Sequence, residues 1–324
     1  MTLAQVIAII LAFGAGLAWL AIQRRSVTAA KIARGLLVSY VTIALILVLG
    51  ELYFRYFHAD TEGRLASNNW MARYWAVNSW GYRDREWTPA DYADKTRVAV
   101  VGDSFTAGWG LENPAERFSD VLANALGDDY AVFNLGVPGS STQEQLETLQ
   151  AFPALPVDAV VLQYFLNDID YTALRLGLDT ISSNMTPITR ESYLANFIFS
   201  RFDTGFGAEY WELAYSRYDN FAVWELHAEE LNAFAQYVDD MGARLIVVIF
   251  PNMQDPVRSI PYVDRVAQVF EARGNVDVIK LFDAVAAWNP QTVTVSARDA
   301  HPSVEFHRYV GELLYEQYFA TQQP

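Results

Sequence analysis

Residues Leu3–Ile22 read LAQVIAIILAFGAGLAWLAI, with Gln5 as the only strongly polar side chain. Residues Leu36–Phe54 read LLVSYVTIALILVLGELYF, polar only at Ser39, Tyr40, Thr42, Glu51 and Tyr53. Each run approaches the roughly 20 apolar residues needed to cross a hydrocarbon core. In lipid every backbone N–H must find its partner inside the segment, so both runs are expected to be helices. The 13 residues between them, QRRSVTAAKIARG, carry Arg24, Arg25, Lys31 and Arg34 and no acid. The positive-inside bias therefore places this loop in the cytoplasm and everything after residue 57 outside, in a periplasm or its equivalent. The competing reading is a secretory signal peptide. That requires positive charge before the apolar run, and residues 1–10 have no basic side chain. Tyr53, Phe54, Tyr56 and Phe57 resemble an interfacial aromatic belt.

The remaining residues are a different material. Five of the 23 basic residues and one of the 38 acidic ones lie in 1–57, leaving 18 against 37 in 58–324. So acidic a body repels phosphate backbones and argues against a nucleic-acid partner. The chain has no cysteine, which excludes disulfides and thiolate metal sites.

Residues 58–95 read as a connector holding Trp70, Trp75, Trp80 and Trp87. These rings either sit at a membrane surface or pack on the following domain, as a large apolar face needs a partner. From residue 96 to 324, short valine- and isoleucine-rich runs alternate with helical periodicity. Strands are expected at Arg97–Val101, Ala131–Leu135, Ala159–Gln163, Leu245–Phe250 and Val276–Ile279. Helices are expected near Phe118–Leu126, Thr142–Ala151, Ala222–Met241, Tyr262–Ala272 and Val304–Phe319. The alternation predicts an α/β domain with a parallel sheet and helices on both faces. Residues 169–217 break the rhythm as an aromatic-rich insertion without a clear period, read either as a lid or as a satellite core.

The chemistry gathers at strand ends, where open parallel sheets form their sites. The first strand runs into Gly102-Asp103-Ser104, where Gly102 is expected to permit a sharp turn and Ser104 to be presented as a nucleophile. The second ends in Asn134-Leu135-Gly136-Val137-Pro138-Gly139-Ser140, a tight loop whose Gly139 N–H can face a developing oxyanion. The third ends in Phe165-Leu166-Asn167-Asp168, with the Asn167 amide available to the same oxyanion. Asp299-Ala300-His301 precedes the last helix, with His301 as general base and Asp299 as its orienting acid. His307 is a poorer base because it lies inside a helix. His227, on a charged helical face, is expected to be solvated. No Gly-Lys-Ser/Thr follows Gly102, so a phosphate loop is excluded. Tight metal-ligand spacing is absent around His301 and His307, so neither a metal nor another cofactor is expected.

These four pieces, in this order, resemble the SGNH (GDSL-like) hydrolase family. Gly102-Asp103-Ser104 matches the nucleophile block, Gly139 and Asn167 the oxyanion blocks, and Asp299 with His301 the acid–base block. The Ser104 N–H is expected to be a third oxyanion donor. Asn78-Ser79-Trp80-Gly81-Tyr82-Arg83 is similar to the lead-in found before such domains in envelope proteins. The resemblance implies a three-layer α/β/α sandwich with a five-stranded parallel sheet in order 2-1-3-4-5. It also implies metal-free hydrolysis of small acyl esters through an acyl-Ser104 intermediate, or acyl transfer from it. A location outside the inner membrane suggests acetylated envelope polysaccharide as substrate; a non-catalytic glycan- or partner-binding protein is the alternative from another class. Two positions depart from the family pattern. Phe165 stands where a glycine is usual, and the acid is two residues before the histidine rather than three.

Overall fold

The structure is a computed structural model that describes residues 2–23, 27–62, 64–179, 186–202, 206–289 and 291–320. The chain divides into two compact units. One comprises Met1–Arg73 with Ser182–Phe206, and the other Tyr74–Ile181 with Gly207–Pro324.

The second unit is an α/β sandwich. Its strands are β1 (Thr96–Gly102), β2 (Tyr130–Gly136), β3 (Ala159–Phe165), β4 (Arg244–Phe250) and β5 (Val276–Lys280). All pairings are parallel, in the order β2-β1-β3-β4-β5. The two-residue repeat of a strand sends neighbouring side chains to opposite faces. Ala99 and Val101 of β1 accordingly join one core, with helices Thr142–Gln150, Phe221–Asp240 and Pro256–Glu271. Val98 and Val100 join the other, with helices Phe118–Leu126 and Val304–Leu314. The apolar runs are continuous because both faces are covered.

Helix starts follow from capping. Ser141 and Glu144 form a capping box, and Asn220, Asp255 and Ser303 each accept from a first-turn N–H. Helix Pro256–Glu271 begins six residues before the expected start. Pro256 occupies its first turn and Pro261 its second, where the missing N–H removes only one intrahelical bond.

The insertion also departs from expectation. Its described residues are largely helical: Ile169–Arg175, Pro187–Glu191, Tyr193–Phe202 and Phe206–Asp219. The pieces are short and divided between the two units, so no single apolar period runs through them. Residues 180–185 and 203–205 lie outside the described residues.

Three tryptophans of the connector pack on the α/β unit. Trp87 and Trp80 meet Phe133 at 4.5 and 6.3 Å, and Trp75 meets Trp109 at 5.6 Å. Trp70 is buried in the other unit.

The first unit contains helices Leu3–Ile22 and Val27–Tyr56, both long and apolar enough to cross a membrane. They meet through small residues. Tyr40 donates to the Ile10 carbonyl (2.7 Å) and fills the space that a Cβ on Gly14 would need. Most other apolar side chains of the pair are exposed, unlike those of a core helix in a water-soluble protein.

Candidate active site

β1 passes directly into helix Ser104–Ala107. Asp103 caps it by accepting from the Phe105 N–H (2.8 Å), and Gly108 ends it in the left-handed region at φ +74°. This one-turn helix lies very close to the sheet because two glycines paired in register, Gly102 and Gly136, leave room for it. A Cβ on Gly102 would come within 2.3 Å of Thr106 Oγ1, and one on Gly136 within 2.2 Å of the Ala107 backbone nitrogen. Gly102 is thus required for space; its φ is not in the left-handed region. Gly136→Ala must therefore displace the backbone beneath Ser104. We expect hydrolysis to fall about 100-fold and stability by about 1–3 kcal/mol, read from kcat and from urea unfolding. Activity within twofold of the parent would show that the close approach is dispensable.

Residues 294–302 form a closed loop. Thr294 bridges to Pro302, and the Val295 N–H donates to the His301 carbonyl (2.8 Å). Within it Ser296 Oγ accepts from the Asp299 N–H (3.1 Å), fixing the acid. Asp299 Oδ1 lies 2.5 Å from His301 Nδ1 and accepts the His301 backbone N–H at 3.1 Å. His301 Nε2 lies 2.9 Å from Ser104 Oγ. With its proton on Nδ1, facing the carboxylate, the ring presents Nε2 as an acceptor to the hydroxyl. Residues 197 positions apart are thereby joined, and Asp299 reaches the imidazole despite the short spacing.

The remaining two sequence candidates flank Ser104 in sheet order. Gly139, at φ +77°, follows Pro138 in a turn closed by the Ser140 N–H on the Val137 carbonyl (3.1 Å), the pattern of a type II turn. Ser140 Oγ and the Val137 N–H both donate to the Gly102 carbonyl, tying this loop to the end of β1. Asn167 lies in the turn after β3, where the Asp168 N–H donates to the Phe165 carbonyl. Its amide interacts with the buried Asp103 carboxyl. Burial raises the Asp103 carboxyl above the usual range, opposed by the Phe105 N–H, by His301 and by the Gln163 and Asn167 amides. Asp168, also buried, is raised further. It is held by Thr142 Oγ1 (2.9 Å) and Gln145 Nε2 (3.2 Å).

Two supporting residues were not foreseen as such. Gln163 Oε1, inside β3, accepts from Asp103 N, Thr106 N and Thr106 Oγ1, forming a polar floor under the one-turn helix. Arg83 is buried and donates to the carbonyls of Gly108 and Leu111 (both 2.6 Å) and Tyr74 (3.0 Å), clamping the loop that follows Ser104. It is delivered by the Asn78–Arg83 turn, in which Asn78 Oδ1 accepts from Trp80 N and Tyr82 N. The only signal in the sequence was that lead-in motif. Phe165, the departure from the family glycine, stacks on Phe105 at 4.3 Å and meets Trp211 edge-on at 5.6 Å.

The other histidines do not join this group. His227, expected to be solvated, is instead fully buried between Tyr164 Oη (2.8 Å) and Thr172 Oγ1 (3.0 Å), and burial pushes its pKa down to about 3. Glu225 and Glu229 are exposed, whereas Glu230 turns inward, with Oε2 3.0 Å from His227 Nδ1. His307 is buried against Phe118, whose N–H donates to Nδ1 (3.2 Å), and it too is pushed down to about 3. Among the described residues no group of three His, Asp or Glu side chains is placed to hold a metal.

The model of the GDSL-like lipase/acylhydrolase family matches residues 100–309. No curated protein matches the chain. Among solved structures, a lipolytic protein of the G-D-S-L family from Veillonella parvula is 14% identical, with 70% of this chain and 99% of that one covered and a TM-score of 0.45. A lipase/acylhydrolase from Enterococcus faecalis is 19% identical, with 70% and 97% covered and a TM-score of 0.44. An acetyl xylan esterase is 13% identical, with 69% and 100% covered and a TM-score of 0.45.

Proposed function

The chain belongs to the GDSL-like lipase/acylhydrolase family and is an ester hydrolase, and from that premise we propose that Ser104 is its nucleophile and His301 its base. The observation that carries this reading is the 2.9 Å contact between Ser104 Oγ and His301 Nε2, with Asp299 behind the ring. In the first half-reaction Ser104 Oγ bonds to the ester carbonyl carbon while His301 Nε2 takes its proton. Charge develops on the carbonyl oxygen, where the N–H groups of Ser104 and Gly139 and the Asn167 amide receive it. As the tetrahedral species collapses, the carbon–oxygen bond to the alcohol breaks, and His301 returns the proton to the leaving oxygen. A water then repeats the sequence on acyl-Ser104, with His301 again as base, and frees the acid. Asp299 holds the tautomer and stabilises the imidazolium in both halves.

We infer a short acyl group, acetyl being the best fit. Phe105, next to the nucleophile in the chain, is covered by Phe165, meets Phe250 edge-on at 5.3 Å and lies 5.3 Å from the His301 ring, so bulky aromatic side chains crowd this end of the sheet. The two apolar helices serve as an inner-membrane anchor. Arg24 and Arg25 between them, with Lys31 and Arg34 near the start of the second helix, favour a cytoplasmic position for this end of the pair, which puts the catalytic unit on the periplasmic or outer side. Acetyl esters of envelope polysaccharide are the substrates such a location offers. The test is to treat the full chain in detergent with a fluorophosphonate and map the adduct by peptide mass. A single adduct on Ser104 is expected; labelling elsewhere, or none, overturns the assignment.

A further inference from the structure

The unit built on the two apolar helices carries an element that the hydrolase chemistry does not use. Helix Tyr193–Phe202 lies in the sequence between β3 and β4, yet it packs with the apolar pair. The attachment is specific. The Glu51 carboxylate, near the end of helix Val27–Tyr56, accepts from the N–H groups of Tyr193 (3.1 Å) and Leu194 (3.0 Å) and from Ser192 Oγ (2.7 Å). It thereby caps a helix about 140 positions away, at the end where a negative charge is favoured. Leu194 lies against Gly50, where a Cβ would come within 3.2 Å of its methyl carbon. Phe197 stacks on Phe54 with ring centroids 4.1 Å apart. Arg55 donates to the Glu191 carbonyl (2.9 Å), and Glu191 Oε2 accepts from the Leu3 N–H (2.8 Å). The inserted segment therefore sits where the start of the first apolar helix and the end of the second come together.

With one side docked, the helix displays Ile198, Phe199 and Phe202 to the outside, the last 79% exposed. Their spacing places them on one stripe of the helix. At the same end of the hairpin, Tyr53, Tyr56 and Phe57 are also exposed. The stripe is thus continuous with the apolar surface that, on the anchor reading above, faces lipid. Aromatic residues are favoured at the level between headgroups and acyl chains, and a short helix with one apolar face lies in that plane.

We propose that helix Tyr193–Phe202 is an interfacial membrane-binding element that inserts Ile198, Phe199 and Phe202 between lipids beside the hairpin. The proposal rests on the anchor reading and extends it. The chain passes between the two units near residues 73, 181 and 206, so the hydrolase unit is joined to the bilayer-bound unit by three strands of chain instead of one.

The absence of cysteine makes the test direct. Single cysteines are introduced by Phe202→Cys, Phe199→Cys, Leu45→Cys and Gln150→Cys, the last on the hydrolase unit. Each full chain is labelled with an environment-sensitive fluorophore and reconstituted into phosphatidylcholine–phosphatidylglycerol vesicles. Quenching is compared for nitroxides placed shallow or deep on the lipid acyl chain. Labels at 199 and 202 are expected to be quenched several-fold more by shallow than by deep nitroxides. The label at 45 should show the reverse order, and that at 150 should respond to neither. If 199 and 202 behave like 150 while 45 is quenched, the hairpin is in the membrane and the interfacial helix is refuted. Deep quenching at 199 and 202 also refutes it, since the helix would not lie at the interface. If 45 is unquenched as well, the anchor reading itself fails and takes this inference with it.

Discussion

Ser104→Ala is expected to lower kcat on a short-chain chromogenic ester by on the order of 10⁶, while leaving the unit folded. The argument is local. The contact of the hydroxyl is with His301 Nε2, at 2.9 Å. The one-turn helix is held by other groups: the Asp103 cap, the Gln163 floor and the Arg83 clamp all act on backbone atoms or on Thr106. Alanine keeps the Ser104 N–H as an oxyanion donor, so a residual acceleration of about 10³–10⁴ over water should survive from binding and the oxyanion contacts alone. Thermal unfolding should change little, because the lost group is half-exposed and small. The measurement is kcat under saturating ester together with the unfolding midpoint. A variant within tenfold of the parent rate would mean that another nucleophile operates. A variant that is inactive and unfolded would mean that Ser104 holds the structure in a way its contacts do not suggest.

The parts of this site that could be read from the sequence are those whose reasons are local. The strands were legible because β1, β3 and β4 are buried on both faces and so carry mostly apolar runs. Ser104, Gly139 and Asn167 stand out as candidates because each is a polar or small residue placed where an apolar run stops, and His301 because it lies beside an acid just before the last helix. What could not be read depends on partners remote in the chain. Gly136 looks like one of several loop glycines, and the need for it comes from the Ala107 backbone 29 positions earlier. Gln163 interrupts an apolar strand without announcing that three donors of the Ser104 turn converge on its oxygen. The carbonyls that receive Arg83 exist as a cluster only once residues 107–111 have folded. His227 and His307 sit among charged neighbours in helices, and periodicity alone did not reveal that the histidines occupy the buried faces. The insertion gave no clear period for a related reason. Its helices are divided between the two units, so its aromatic residues follow no single period.

Asp299 and His301 should separate in the size of their effects. His301→Ala removes the atom that accepts the serine proton, and its cost should match that of Ser104→Ala, on the order of 10⁶ in kcat. Asp299→Ala leaves Nε2 beside the hydroxyl and removes only the group that sets the tautomer and steadies the imidazolium; a loss on the order of 10⁴ is expected. The acid also has a structural duty, because Oδ1 accepts the His301 backbone N–H as well as Nδ1. Asp299→Asn distinguishes the two duties. Its amide oxygen still accepts the backbone N–H, but it does not supply the negative charge that favours the imidazolium. If charge and tautomer dominate, Asp299→Asn should be nearly as slow as Asp299→Ala while unfolding at the parent midpoint. If loop closure dominates, the asparagine variant should recover most of the activity that alanine loses. Arg298, three residues before the histidine, is no substitute acid, and its backbone N–H is engaged by Ser296 Oγ at 3.1 Å. Steady-state kcat for the three variants decides the matter. An Asp299→Ala loss larger than that of His301→Ala would reverse the roles assigned here, leaving the imidazole as the positioning group and the carboxylate as the base.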